Sequence, residues 1–173
     1  MKTKNYATRK MGVAAALLLP VFALLFASSA MANDILAEFK GGIGVIPVSS
    51  LGPPPVANVV QGIEPAGQPW RISALRAEVT KNGRILIEGR GLLLAGDNGI
   101  GTNGGQKVFA SLIVGTTVSS TPSANAVALA ADGNFTIDEV LSPVPSSVSG
   151  TPILLIRNEA GVWFAAGIPV VID

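Results

Sequence analysis

The chain has 173 residues, a formal net charge of +1, and neither histidine nor cysteine. Without those two residue types the chain cannot form the catalytic residues of a Ser-His-Asp or Cys-His hydrolase or of a thiol redox enzyme. It also lacks the ligands of the usual zinc sites. A charge so close to zero also gives no indication of the basic surface that nucleic-acid-binding domains carry.

Residues 1–32 have the pattern of a bacterial secretory signal peptide. Four basic residues precede an apolar run from Val13 to Phe26, and a small-x-small cleavage site stands at Ala30 to Ala32. The run is shorter than the ~20 residues that span a membrane. Cleavage after Ala32 leaves eight basic and eleven acidic residues, a net charge of −3. We therefore expect an exported protein, periplasmic or extracellular, with no transmembrane span in the mature chain and no nucleic-acid partner.

Residues 33–69 are predicted to be an N-terminal segment followed by a connection. The stretch from Asp34 to Lys40 fits either a short strand or a single helical turn, which periodicity cannot separate at this length. Six glycines and six prolines between residues 41 and 69 indicate a long connection over the surface. Within it, residues 42–48 are apolar enough to add a strand to a sheet edge, in this chain or in a partner.

Residues 71–95 predict a β-hairpin in which apolar and charged residues alternate along both arms. A three-residue loop at 81–83 places Gly83 in the left-handed position that such loops need. A two-residue loop would instead set Glu88 against the apolar Ala77. The longer loop matches apolar with apolar and opposite charges with each other. The predicted pairs are Val79 with Ile85, Ala77 with Ile87, and Arg76 with Glu88.

A glycine-rich loop occupies residues 96–105 and contains the letters GxGxxG at 99–104. The dinucleotide fingerprint requires this loop to open a helix. Here it leads into residues 107–114, which alternate like a strand, so a nucleotide site is not expected. One carboxylate is also too few for a calcium loop. Because long loops on rigid sheets often carry function, we take Asp97, Asn98 and Asn103 as candidate ligand-binding residues.

Two further hairpins are predicted toward the C-terminus. The loop 131–133 would pair Leu129 with Phe135 and Val127 with Ile137. The loop 159–161 would set Ile156 against Phe164, Leu154 against Ala166 and Arg157 against Trp163. The last pair would stack a guanidinium on an indole ring. Arg157 and Trp163 therefore join the candidate ligand-binding residues.

The sequence also gives little indication of catalysis by a pair of carboxylates or by a serine–lysine dyad. Asp138 and Glu139 are adjacent carboxylates, but neighbours in a strand point to opposite faces. No lysine left after cleavage lies in a recognisable serine motif. We therefore expect that the protein is not an enzyme, with no catalytic residues, no cofactor and no metal.

Spaced short strands and turn glycines predict an all-β fold for residues 70–173. We expect a single antiparallel two-sheet β-sandwich of about seven or eight strands. The turn from Asp132 to Phe135 is similar to turns in immunoglobulin-like and transthyretin-like sandwiches, which suggests that fold class without identifying a family.

Three functions remain open from the sequence. The first is a non-catalytic binding or structural module of the cell envelope or extracellular space, with an envelope protein or a glycan as its partner. The second is a glycan or small-ligand binding protein that uses the loop 96–105. The third is a strand-exchanging assembly or adhesin subunit that uses residues 42–48.

Overall fold

The computed structural model describes residues 34–171, so the predicted signal peptide at 1–32 lies outside the described residues. The described part is built from antiparallel β-strands and includes a 3₁₀ turn at Ser123–Asn125, and the predicted all-β class is confirmed. No helix within residues 34–171 is long and apolar enough to cross a bilayer. The strands are β1 (Ile35–Gly44), β2 (Val48–Ser50), β3 (Val56–Ala57), β4 (Trp70–Arg71), β5 (Ala74–Thr80), β6 (Arg84–Arg90), β7 (Leu93–Leu94), β8 (Lys107–Val114), β9 (Thr117–Ser120), β10 (Val127–Ala128), β11 (Phe135–Val140), β12 (Ile153–Asn158) and β13 (Trp163–Pro169).

Nine strands form one continuous sheet in the order β10-β8-β12-β13-β1-β5-β6-β11, and β9 also pairs with β8. The two ends of this sheet approach each other. Ser120, at the end of β9, and Ser142, just after β11, each donate a backbone N–H to the other's carbonyl at 2.9 Å. The sheet is therefore nearly barrel-shaped. It is not clearly the two-sheet sandwich that strand spacing predicts, because β1 joins β13 to β5 and leaves no break between two layers.

The N-terminal strand is central to the sheet. β1 hydrogen-bonds with β13 on one side and with β5 on the other. Just beyond it, Val45 donates its N–H to the carbonyl of Phe164 at 2.8 Å and accepts one from Trp70 at 3.0 Å. The prediction that residues 42–48 form an edge strand is therefore wrong for residues 42–45, whose backbone is already paired.

The first hairpin has the predicted register. β5 and β6 pair Val79 with Ile85, Ala77 with Ile87 and Arg76 with Glu88, and Gly83 has a φ of +84°. Buried and exposed residues alternate along both strands, as a half-buried antiparallel pair requires. Although Arg76 lies opposite Glu88, its guanidinium forms ion pairs with Glu38 at 3.8 Å and Glu78 at 3.7 Å instead.

The turn at Ala130–Asn134 forms as predicted, but the strands leaving it separate. Ala130 donates its N–H to the carbonyl of Asn134 at 2.9 Å, and Gly133 has a φ of +77°. Beyond this bond β10 pairs with β8, and β11 pairs with β6. The predicted pairs Leu129–Phe135 and Val127–Ile137 are therefore wrong. This turn joins the two end strands of the sheet, so it marks the seam of the near-barrel.

The last hairpin contains a β-bulge that shifts part of its register. Arg157 lies opposite Trp163, as predicted, whereas Ile156 lies opposite Ala165 and Leu154 opposite Gly167. The register changes between Ile156 and Arg157. The predicted partners of Ile156 and Leu154 are thus wrong by one residue, since a bulge inserts an extra residue into one strand.

Candidate functional site

A cleft of about 350 Å³ lies where three segments meet: the residues leading into β4, the glycine-rich loop and the β12–β13 turn. This volume is within the range of small-ligand pockets, about 300–1,000 Å³. None of the lining residues is charged. The side chains that give the cleft its chemistry are Gln68, Trp70, Gln106, Asn158 and Phe164.

Two stacked aromatic rings contribute to the wall of the cleft. The rings of Trp70 and Phe164 are nearly parallel, with centroids 4.1 Å apart, and both side chains are buried. Trp70 is held by β4, which pairs with β7 through Leu94. β4 also crosses closely over β1, because a Cβ atom on Gly44 would lie only 1.9 Å from the Trp70 carbonyl oxygen. Glycine at 44 is therefore what allows this aromatic pair to form.

The amide side chains in the cleft are partly used and partly free. Asn158 donates from Nδ2 to Oε1 of Gln106 at 3.1 Å, and Gln106 donates from Nε2 to the carbonyl of Gly104 at 3.3 Å. Each of these amide nitrogens carries a second N–H. Gln68 is exposed and its side chain has no hydrogen bond to any residue within 34–171. The cleft therefore offers neutral donors and acceptors to a ligand.

The glycine-rich loop is held in place by backbone bonds. Leu94 donates its N–H to the carbonyl of Thr102, and Gly101 donates to the carbonyl of Leu94, both at 2.9 Å. Asn103 donates from Nδ2 to the carbonyls of Leu129 at 2.9 Å and Ala130 at 3.0 Å. Asn103 thus ties the loop to the segment after β10, so its donors are committed to the fold.

The other two loop candidates lie elsewhere. Asp97 and Asn98 are exposed and neither lines the cleft. Asp97 has a φ of +62°, a conformation that Asp tolerates better than most residues. The loop leads into β8, as predicted, and not into a helix. The phosphate-binding geometry of a dinucleotide fold is therefore missing at residues 99–104.

Arg157 and Trp163 are brought together as strand partners, but they do not stack on each other. Trp163 is buried and donates from Nε1 to the carbonyl of Asn58 at 3.1 Å. The Arg157 guanidinium lies over the ring of Phe109 instead, 5.1 Å from its centroid. Trp163 therefore does not contribute to the cleft, because it is not among the lining residues and its N–H is committed to the backbone. Arg157 is half-buried and accessible to a ligand.

The strongest ion pair stands away from the cleft, between β6 and β11. Arg84 donates from Nε to Oδ1 of Asp138 at 2.8 Å and from Nη2 to Oδ2 at 2.6 Å. This hydrogen bonding lowers the pKa of Asp138 and raises the pKa of Arg84. Because both side chains are about half exposed to solvent, we interpret the pair as a surface contact of the sheet.

None of the five side chains that give the cleft its chemistry is among the residues predicted from the sequence: Gln68, Trp70, Gln106, Asn158 and Phe164. The amides are single polar residues at loop and strand ends, and Phe164 reads as an ordinary core residue. Their spacing in the sequence does not indicate a common site, because only the tertiary fold brings these side chains together.

No group of His, Cys, Asp or Glu side chains within residues 34–171 could hold a metal ion. No family model, curated protein or solved structure matches the chain. The geometry of the cleft is therefore the basis for assigning a function.

Proposed function

We propose that the protein is an exported, non-catalytic binding module of the cell envelope or extracellular space. Its cleft holds a neutral ligand, and a saccharide is the class that fits best. One observation carries this proposal: an uncharged cleft combines a stacked aromatic pair with three amide side chains. The signal-like segment 1–32 supports export.

The absence of charge in the cleft lining favours a neutral ligand. Burying an ion without a partner is costly, and none of the lining residues would supply a counter-charge. A saccharide has apolar C–H surfaces that pack against aromatic rings. Its hydroxyl groups both donate and accept hydrogen bonds, as amide side chains do. The two kinds of lining side chain thus match the two kinds of sugar surface.

The same side chains support a binding role over a catalytic one. General acid–base catalysis needs a group that exchanges protons near the working pH. Gln68, Gln106 and Asn158 carry amides, which do not titrate in that range, and the aromatic residues Trp70 and Phe164 carry no acid or base. The cleft can therefore orient a ligand without a proton donor or acceptor to transform it.

Isothermal titration calorimetry with a panel of neutral mono- and oligosaccharides tests the proposal. We expect at least one saccharide to bind saturably, and Gln106→Ala to raise its Kd by a factor of up to about ten. The reason is that a typical hydrogen bond contributes about 0.5–1.5 kcal/mol, and 1.4 kcal/mol is a factor of ten.

Asn98→Ala is the matched control, because Asn98 is an exposed amide in the glycine-rich loop that precedes Gln106 and does not line the cleft. Its Kd should equal that of the unaltered protein. No binding across the panel, or equal weakening by the two substitutions, would argue against a saccharide in the cleft.

A further inference from the structure

A cluster of hydrogen-bond donors lies on the face of β12 opposite the cleft. Arg157 and Asn158 are neighbours in β12, so their side chains point to opposite faces. Asn158 lines the cleft, whereas Arg157 reaches Ser111 of β8, which lies opposite Ser120 of β9. The three side chains belong to three adjacent strands and are independent of the neutral cleft.

The guanidinium of Arg157 is fixed in one orientation. It donates from Nε to the carbonyl of Gly161 at 2.8 Å and from Nη1 to Oγ of Ser111 at 3.1 Å. Its plane also lies over the ring of Phe109. A guanidinium has five N–H donors, so three remain once these two bonds are made. A ligand would therefore meet a pre-oriented fork, without the entropy loss of ordering a mobile side chain.

No carboxylate within residues 34–171 forms an ion pair with this arginine. None of the ion pairs within residues 34–171 includes Arg157. The nearest carboxylate along the chain, Glu159, pairs with Lys107 at 3.5 Å instead. Desolvation by burial lowers the pKa of Arg157, as expected for a cation that the protein itself does not compensate.

The two serines extend the row of donors. Oγ of Ser111 accepts from Arg157 and lies 2.8 Å from Oγ of Ser120. A hydroxyl that accepts from a cation becomes a better donor, which favours donation from Ser111 to Ser120. The O–H of Ser120 is then free to donate outward, and Ser120 is only partly buried. Ser111 is buried and links the two outer groups.

We propose that Arg157 and Ser120 bind a small oxyanion, the carboxylate or phosphate group of a ligand, with Ser111 as the positioning residue between them. The remaining N–H groups lie on Nη1 and Nη2, and neighbouring N–H groups of a guanidinium form a fork that matches two oxygens of a carboxylate or phosphate. The Ser120 hydroxyl supplies a further donor. Because both binding groups contact the same Ser111 oxygen, one oxyanion can reach both.

Nuclear magnetic resonance of the arginine Nε–H signals tests this site with inorganic phosphate and with acetate, against chloride at equal ionic strength. We expect the Arg157 signal to shift saturably with phosphate or acetate and not with chloride. Tighter binding of phosphate would indicate a phosphate ester as the ligand group, and tighter binding of acetate would indicate a carboxylate.

Two variants separate the site from general charge effects. Ser120→Ala removes one donor and should raise the Kd several-fold. Arg157→Lys keeps the charge but loses the fork, and should raise the Kd, followed in all variants by the backbone amide signals of Ser111 and Ser120, at least tenfold. The exposed Arg90 provides the control Arg90→Lys, which should leave the Kd unchanged. A linear Arg157 shift that chloride reproduces, or equal effects of Arg157→Lys and Arg90→Lys, would overturn the proposal.

Discussion

Replacing Gly44 with alanine is expected to destabilise the protein by about 3 kcal/mol. A Cβ atom at position 44 would lie 1.9 Å from the carbonyl oxygen of Trp70 and 2.7 Å from Cα of Arg71. Overpacking costs about 1–3 kcal/mol and occasionally more. We expect the upper end, because the obstructing atoms are backbone atoms that cannot rotate away. Urea unfolding should show the loss, and the melting temperature should fall by about 6–12 °C.

Gly44→Ala should also alter the packing of the aromatic rings in the wall of the cleft. Moving β4 away from β1 would separate Trp70 from Phe164, whose rings stack at 4.1 Å, so near-ultraviolet circular dichroism should weaken. Gly67→Ala is the control, since nothing lies within 4 Å of the added methyl group. If Gly44→Ala proved as stable as Gly67→Ala, the close crossing of β4 over β1 would be incorrect.

Replacing Gly133 with alanine is expected to cost about 2–5 kcal/mol. The residue has a φ of +77°, and an added Cβ would lie 2.6 Å from both the nitrogen and the oxygen of Leu92. A non-glycine residue in the left-handed region costs about 1–2 kcal/mol, and the clash with backbone adds about 1–3 kcal/mol. Gly133 also accepts the Leu92 N–H at 3.0 Å, so the substitution would loosen the seam of the sheet.

Gly150→Ala separates the two contributions to this loss. Gly150 has a φ of +76°, nearly that of Gly133, but nothing lies within 4 Å of its added Cβ. It should therefore show the backbone strain alone, about 1–2 kcal/mol. Equal losses for the two variants in urea unfolding would mean that the turn at Ala130–Asn134 does not pack against Leu92.

The sequence predicts strand pairing well where the side-chain patterns of both arms of a hairpin fit only one register. In β5 and β6, a single register matches Val79 with Ile85 and also sets Arg76 opposite Glu88, and that register is the one formed. In the turn before β11, the same local reasoning finds Gly133 but not the strand partners. The partners of β10 and β11 are β8 and β6, and those distant pairings depend on closing the whole sheet.

The cleft is harder to predict, because its side chains also come from segments that are distant in the sequence. Arg157 and Trp163 face each other across one hairpin, as predicted, but neither lines the cleft. Gln68, Gln106 and Asn158 come from three separate segments, and no local pattern relates them. The glycine-rich loop predicts Asn103 as a ligand-binding residue, yet its amide nitrogen donates to the carbonyls of Leu129 and Ala130.

Tryptophan fluorescence offers the most direct test of a ligand held against the aromatic pair. The chain has two tryptophans, so Trp163→Phe leaves Trp70 as the only emitter and Trp70→Phe leaves Trp163. We predict that a neutral saccharide changes the emission of Trp70 saturably in the first variant, with the midpoint found by calorimetry. Saturable binding that leaves Trp70 emission unchanged and alters only Trp163 would contradict the assignment of the cleft.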